Sequence, residues 1–128
     1  MKRPKLFLAF DFDGTLAVSD WPYMERPRWL ARPILKWLRK RNHVLTLWTN
    51  REDEALKNAR LWLEQNGIGY YFFDYYNQNT TELKELYNSN PRKIGADWYF
   101  DDKAGFTTWL FVPLRILWLE YRNRWRCL

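Results

Sequence analysis

The stretch LFLAFDFDGTLAV, residues 6–18, sets an apolar run directly against two carboxylates one residue apart, Asp11 and Asp13, with Gly14 behind them. Short apolar runs rich in aromatic and branched residues read as buried strands, and Asp-Gly marks where such a run stops. KLFLAF, residues 5–10, is therefore predicted as the first strand, with Asp11 delivered at its carboxyl end. The i, i+2 spacing directs both acids the same way if the strand geometry persists. Taken alone, such a dipeptide is also explained by an Asx-type turn closing a strand.

Outward from that stretch, SDWPYMERPRW (19–29) carries two prolines and no clean period, and reads as a loop or flap. A helix is predicted from about Pro33 to Asn42, with Pro33 suited to its first turn. HVLTLWT (43–49) reads as a second buried strand with His43 at its edge. NREDEALKNARLWLEQNG (50–67) reads as a helix with Asn50 as N-cap, Gly67 as its stop, and Leu56, Ala59 and Leu63 on one face. GYYFFD (69–74) is predicted as strand three, TTELKELYN (80–88) as a short helix, DWYFDD (97–102) as strand four and RILWLE (115–120) as a fifth strand. Strands alternating with helices imply a parallel sheet covered on both faces. Ligands bind such sheets beyond the carboxyl ends of the strands. Three of these strands end in polar residues: Asp11 with Asp13, Thr49 with Asn50, and Asp101 with Asp102.

Composition narrows the class. A chain of 128 residues is one domain, here spanning 1–128, with 47% hydrophobic and 28% charged residues. The aromatic share of 20% is high, and nine Trp residues call for burial. The single cysteine, Cys127, can form no internal disulfide and no metal knuckle, which favours a reducing, cytoplasmic setting. The basic start MKRPK is followed by an apolar run that Asp11 cuts short, so it does not read as a signal peptide. AGFTTWLFVPL (104–114) falls short of the ~20 apolar residues a membrane span requires. The net charge of +6 favours anionic partners without choosing among them. A basic aromatic tail, about 115–128, interleaves Arg115, Arg122, Arg124 and Arg126 with Trp118, Tyr121 and Trp125. It could grip nucleic acid through phosphate contacts and base stacking. Core packing, a homo-oligomer or a partner surface accounts for the aromatics equally well.

Carboxylates gathered at strand ends repel one another and raise one another's pKa. A bound cation resolves the conflict, and oxygen ligands without His or Cys suit Mg²⁺, which is commonly bound together with substrate phosphate. One carboxylate can then attack phosphorus while another moves protons. Gly14 suits a tight turn that lets backbone N–H groups approach a phosphate. A calcium loop does not fit, because the glycine falls too early and Pro22 stands where the final Glu belongs. A receiver domain also uses acids with Thr and Lys, but its phosphorylated Asp follows a later strand.

DFDGTL (11–16) resembles the first motif, D-x-D-x-T, of the haloacid dehalogenase (HAD) superfamily. LWTN (47–50) is similar to its second motif, and RKIGADWYFDDKA (92–104) to its third and fourth. Together these motifs cover the chain from about residue 5 to 104. The resemblance implies an α/β, Rossmann-like three-layer fold around a central parallel sheet. With so little between motifs one and two, it implies no cap domain. It makes Asp11 the nucleophile and a Mg²⁺ ligand, and Asp13 the general acid/base with its main-chain carbonyl on the metal. Thr49 would bind phosphate, with Asn50 and Gly14 beside it, while Lys93 would neutralise phosphate and aspartate. Asp101 and Asp102 would complete the metal site, Asp102 as the nearer ligand. Arg51 reads as a solvated helix start, although substrate contact is an alternative for it. The implied activity is a Mg²⁺-dependent phosphomonoesterase working through an aspartyl-phosphate, with nucleotides or polynucleotide ends as candidate substrates. The alternative is a catalytically weak binding module that uses the basic Trp-rich tail.

Overall fold

A computed structural model describes residues 2–69, 72–106 and 108–127. Strand β1 (Phe7–Phe10) lies at the middle of a parallel sheet. On one side it pairs with β4 (Val44–Leu47), Phe7 opposite Val44 through Phe10 opposite Leu47. On the other it pairs with β6 (Trp98–Phe100), from Leu8 opposite Trp98 to Phe10 opposite Phe100. The two-residue β5 (Tyr75–Tyr76) extends the far edge of β4, giving the order β5-β4-β1-β6. Leu8, Ala9 and Phe10 are all buried although successive side chains face opposite ways, so β1 is covered on both faces.

Helices α1 (Ala31–Lys40), α2 (Asp53–Gln65), α3 (Thr81–Tyr87) and α4 (Val112–Arg122) flank this sheet in a Rossmann-like α/β arrangement. Between β1 and β4 stand only an antiparallel hairpin and α1, so no cap domain is inserted. Gly67, at φ 79°, ends α2, and its N–H donates to the Glu64 carbonyl at 3.1 Å. Thr80 caps α3 by accepting from the Leu83 N–H at 3.2 Å.

Part of the aromatic content forms a stack through the core. The Phe10 ring lies 4.3 Å from Phe100 and 5.8 Å from Trp109, nearly parallel to both, and Phe106 meets the stack edge-on. Burial nonetheless fails as a general account of the tryptophans. Trp62 and Trp109 are buried, while Trp21, Trp29, Trp118 and Trp125 are largely exposed.

Several expectations are corrected. Residues 19–29 include most of a hairpin, β2 (Ala17–Asp20) with β3 (Tyr23–Pro27), turning at Trp21-Pro22. Its prolines sit at the turn and at a strand end, where no ladder hydrogen bond is lost. The third strand lies at Tyr75–Tyr76 and not over 69–74; of that predicted stretch, Tyr70 and Tyr71 lie outside the described residues. RILWLE is helical, within α4, because Val112, Ile116 and Leu119 recur at helical spacing on the buried side and Pro113 suits the first turn. Residues 115–127 are thus no tail, since α4 and the 3₁₀ turn Arg124–Cys127 pack on the domain. Arg126 makes two hydrogen bonds to Asp97, at 2.7 and 3.0 Å.

His43 is no mere edge residue. It is buried, accepts from the Leu6 N–H at Nδ1 (3.1 Å), and meets Glu120 Oε2 through Nε2 (2.7 Å). The acceptor role of Nδ1 assigns the ring proton to Nε2, which donates to Glu120. Arg41 closes the cluster with Nε 2.9 Å from Glu120 Oε2 and Nη2 against Oε1.

Candidate active site at the carboxyl end of the sheet

One hydrogen bond carries the β1–β6 register past the strand ends: the Asp11 N–H donates to the Phe100 carbonyl at 2.8 Å. The chain then turns sharply, with the Phe12 carbonyl accepting from Leu16 (3.0 Å) and Ala17 (3.1 Å). Gly14 sits at φ 85°, and a Cβ there would lie 2.7 Å from the Asp102 Cγ. A side chain there would push that carboxylate aside, and a φ of 85° is one that residues other than glycine rarely adopt. Thr15, buried, accepts the Asp102 N–H on its hydroxyl at 3.0 Å and so ties the end of β6 to the first loop. The sequence reading missed this role for Thr15. Its nearest signal is the fixed place of threonine in the D-x-D-x-T pattern.

This construction gathers Asp11, Asp101 and Asp102, each with an oxygen within 4.8 Å of the others. Burial, together with the charges of Asp101, Asp102 and Asp13, pushes the Asp11 carboxyl up to about 7 against a favourable backbone hydrogen bond from Phe12. Three hard oxygen donors without His or Cys, in a cradle that a Cβ at Gly14 would fill, fit a Mg²⁺ ion.

Asp13 does not join that cluster. Arg51 grips it with Nε and Nη2, both at 2.7 Å. This arginine is 1% exposed, contrary to the solvated helix start expected of it. The other hydrogen bonds of its guanidinium go to the carbonyls of Pro22 (3.1 Å) and Ala55 (3.4 Å). Its guanidinium carbon lies 5.2 Å from the Phe12 ring centre and 4.5 Å from that of Trp21. The hairpin turn and Asp13 are therefore held by the same side chain.

Thr49 and Asn50 both line the cleft. Asn50 does not cap α2; Glu52 occupies that position without a side-chain cap bond. The Thr49 hydroxyl accepts from the Arg51 N–H at 3.2 Å, which leaves its own proton to donate. Asn77, absent from the sequence reading, fixes this loop from both sides. Its Oδ1 accepts from the Thr49 N–H (2.8 Å) and its Nδ2 donates to the Arg51 carbonyl (3.0 Å). Gly14 and Lys93 have further contacts. The Gly14 N–H donates to the Ala17 carbonyl at 2.8 Å, and the position lies against the Asp102 carboxylate. Lys93 is exposed with its ammonium 5.9 Å from the Tyr99 ring centre, and the lysine that lines the cleft is Lys103. The Asn79 side-chain amide donates to the Lys93 carbonyl at 3.2 Å.

The cleft measures about 370 Å³, floored by Asp11, Asp13 and Asp101 and walled by Trp21 and Trp48. A larger groove of about 470 Å³ runs along α2 between Asp53 and Glu64, but it is lined by that helix's own side chains. The acidic cleft is placed as the site because polar groups from several strand ends converge there.

Fold and cleft together define an uncapped α/β protein of Rossmann-like class with an acidic site at the carboxyl edge of its parallel sheet. No family model and no curated protein matches the chain. A solved structure, that of a conserved protein coded by a locus of Bacteroides thetaiotaomicron, is 30% identical, with a TM-score of 0.75 over 88% of this chain and 90% of that one. The chain belongs to the same family as that Bacteroides protein.

Proposed function

We propose that the protein is a Mg²⁺-dependent phosphomonoesterase of HAD type that works through an aspartyl-phosphate on Asp11. The observation that carries this reading is the convergence of Asp11, Asp101 and Asp102 at the strand ends, with Asp13 held separately beside them. Asp11, Asp101 and Asp102, with the Asp13 main-chain carbonyl, would hold the metal. Bound there, Mg²⁺ would offset the clustered charge and draw a phosphoryl group toward the carboxylates.

The Asp11 carboxylate attacks phosphorus, and the ester oxygen leaves with a proton from Asp13. Asp13 then takes a proton from water, whose oxygen attacks the phosphorus of the acyl phosphate, releasing phosphate and restoring Asp11. Arg51 aims Asp13 for both transfers, because a bidentate fork fixes the plane of a carboxylate. The Thr49 hydroxyl and Lys103 supply a donor and a positive charge for phosphoryl oxygens. An uncapped cleft walled by Trp21 and Trp48 suits a bulky leaving group with a planar face, which supports nucleotides or phosphorylated polynucleotide ends.

The test is phosphate release from aryl phosphates, nucleoside monophosphates and 3′- or 5′-phosphorylated oligonucleotides, with Mg²⁺ or EDTA, for wild type and Asp11→Asn. Turnover that requires Mg²⁺ and disappears in the variant is expected. Turnover that survives both EDTA and the substitution would overturn the mechanism.

A further inference from the structure

Helix α4 has two apolar sides. At about 100° per residue, Val112, Ile116 and Leu119 fall together and are buried. Leu114, Leu117, Trp118 and Tyr121 fall on the other side, and are 67%, 46%, 45% and 65% exposed. Phe111 before them and Trp125 after them are exposed as well, so the stripe is continuous over the whole helix. A contiguous exposed apolar surface of this kind marks an interaction site.

Its flanks are cationic. The guanidinium carbons of Arg115 and Arg122 lie 4.6 and 5.3 Å from the Trp118 ring centre, and that of Arg124 lies 4.1 Å from Tyr121. From residue 108 to 127 the sequence holds one acid, Glu120. It is buried and committed to Arg41 and His43, so the exposed side carries no negative charge. Arg126 and Cys127 of the 3₁₀ turn that follows line a basic groove of about 500 Å³ together with Lys2, Arg3 and Lys5.

We propose that this face docks on the surface of an anionic lipid bilayer. A second copy laid on the same stripe would set arginine against arginine with no acid to answer them. Nucleic acid would engage the arginines and rings but offers Leu114 and Leu117 nothing apolar to enter. At the boundary between headgroups and acyl chains all three components are satisfied: leucines below, indole and phenol rings at headgroup level, guanidinium groups at the phosphates. Helix α4, with 11 residues, is only about 16 Å long, and among the described residues no helix is long and apolar enough to cross a membrane. The helix therefore lies along the surface.

The test uses the full chain in co-sedimentation with vesicles of phosphatidylcholine, alone or with one quarter phosphatidylserine. Binding to the mixed vesicles at least ten-fold tighter than to the neutral ones is expected, weakening with salt and accompanied by a blue shift of Trp emission. Leu114→Ser with Trp118→Ala should reduce it at least ten-fold while leaving the thermal melt unchanged, since both side chains are exposed. Arg115→Gln with Arg122→Gln should remove the preference for phosphatidylserine. Several results would each overturn the proposal: no vesicle binding, equal binding to both compositions, binding indifferent to these variants, a dimer by sedimentation equilibrium that the Leu114/Trp118 variant dissolves, or oligonucleotide binding lost in that variant without vesicle binding in the wild type. None of these readouts depends on phosphatase activity.

Discussion

Two clusters of ionisable side chains stand at opposite ends of the same parallel sheet, and they treat buried charge in opposite ways. At the amino end, beside the starts of β1 and β4, Glu120 is answered by Arg41 and by the His43 ring proton. Burial alone would raise the Glu120 carboxyl, but the hydrogen bonds from Arg41 and His43 outweigh it and hold it below the ordinary carboxylate range. At the carboxyl end, burial and mutual repulsion push Asp11 up to about 7. The Glu120 charge is settled within the fold, whereas the three acids at the carboxyl end are poised for something that arrives from outside. Asp13 shows the same distinction at close quarters, since Arg51 answers its charge while its neighbour Asp11 is left with other acids.

The largest effect should come from the open end. Asp11→Asn is expected to lower kcat by about 10⁴-fold or more, the scale of removing a nucleophile. At pH 8, where Asp11 is charged, the same substitution removes a repelled charge, so the metal-free variant should melt above metal-free wild type. Turnover persisting in the variant would take the nucleophile's role from Asp11, and a lowered melting temperature would mean the acids are not in conflict.

Arg51 joins the open and closed designs. Arg51→Met should lower kcat by about 10²-fold through loss of aim in Asp13, on the scale of general acid/base catalysis, with a smaller change in KM. Arg51→Lys should not restore it, because an ammonium cannot reproduce the two-pronged grip. A pH–rate profile that keeps its shape in Arg51→Met would reduce Arg51 to a packing role.

The closed cluster should respond in stability alone. Glu120→Gln leaves the Arg41 guanidinium without its counter-charge and should cost about 3 kcal/mol of folding stability, with kcat unchanged. The pH dependence has a definite sign. Burial holds His43 below its ordinary 6.5, and Glu120 lies below 4.5, so the unfolded chain takes up protons first at both groups. Stability from this cluster is present above those values and is lost as pH falls, beginning near 6.5. Chemical denaturation between pH 7 and 4 on wild type and Glu120→Gln checks it, and parallel curves would show that the pair is not coupled to folding.

What was legible in the sequence follows from distance along the chain. The ends of β1, β4 and β6 could be read because each is an apolar run stopped by local polar residues, and Asp11, Thr49 and Asp101 reach the cleft as expected. The misread segments are those whose meaning lies elsewhere. The apolar outer face of α4 fills in its helical period and makes RILWLE look like a strand. Arg51 meets Asp13 across 38 residues, and His43 meets Glu120 across 77, so neither partnership leaves a local signature. Lys103 lines the cleft without having been singled out, and the path of the 91–95 loop rests on Asn79 bonds that composition does not reveal.

The smallest effect is also the sharpest test of the comparison, because the two ends should answer pH with opposite signs. The Asp11 carboxyl rises from 3.8 to about 7 in the folded protein, so over that interval the native state holds the extra proton. Its contribution to stability is present below about 3.8 and is lost as pH rises through about 7, while the Glu120 cluster moves the other way. On the proposed reading Mg²⁺ would bind only the deprotonated site, so its addition should raise the melting temperature at pH 8 by about 5 °C and have little effect at pH 5. Asp11→Asn should remove both the fall in metal-free stability with pH and most of the Mg²⁺ response, and Glu120→Gln should leave both in place. Equal Mg²⁺ stabilisation at pH 5 and 8, or a response untouched by Asp11→Asn, would place the cation away from the three acids and dissolve the contrast between the two ends of the sheet.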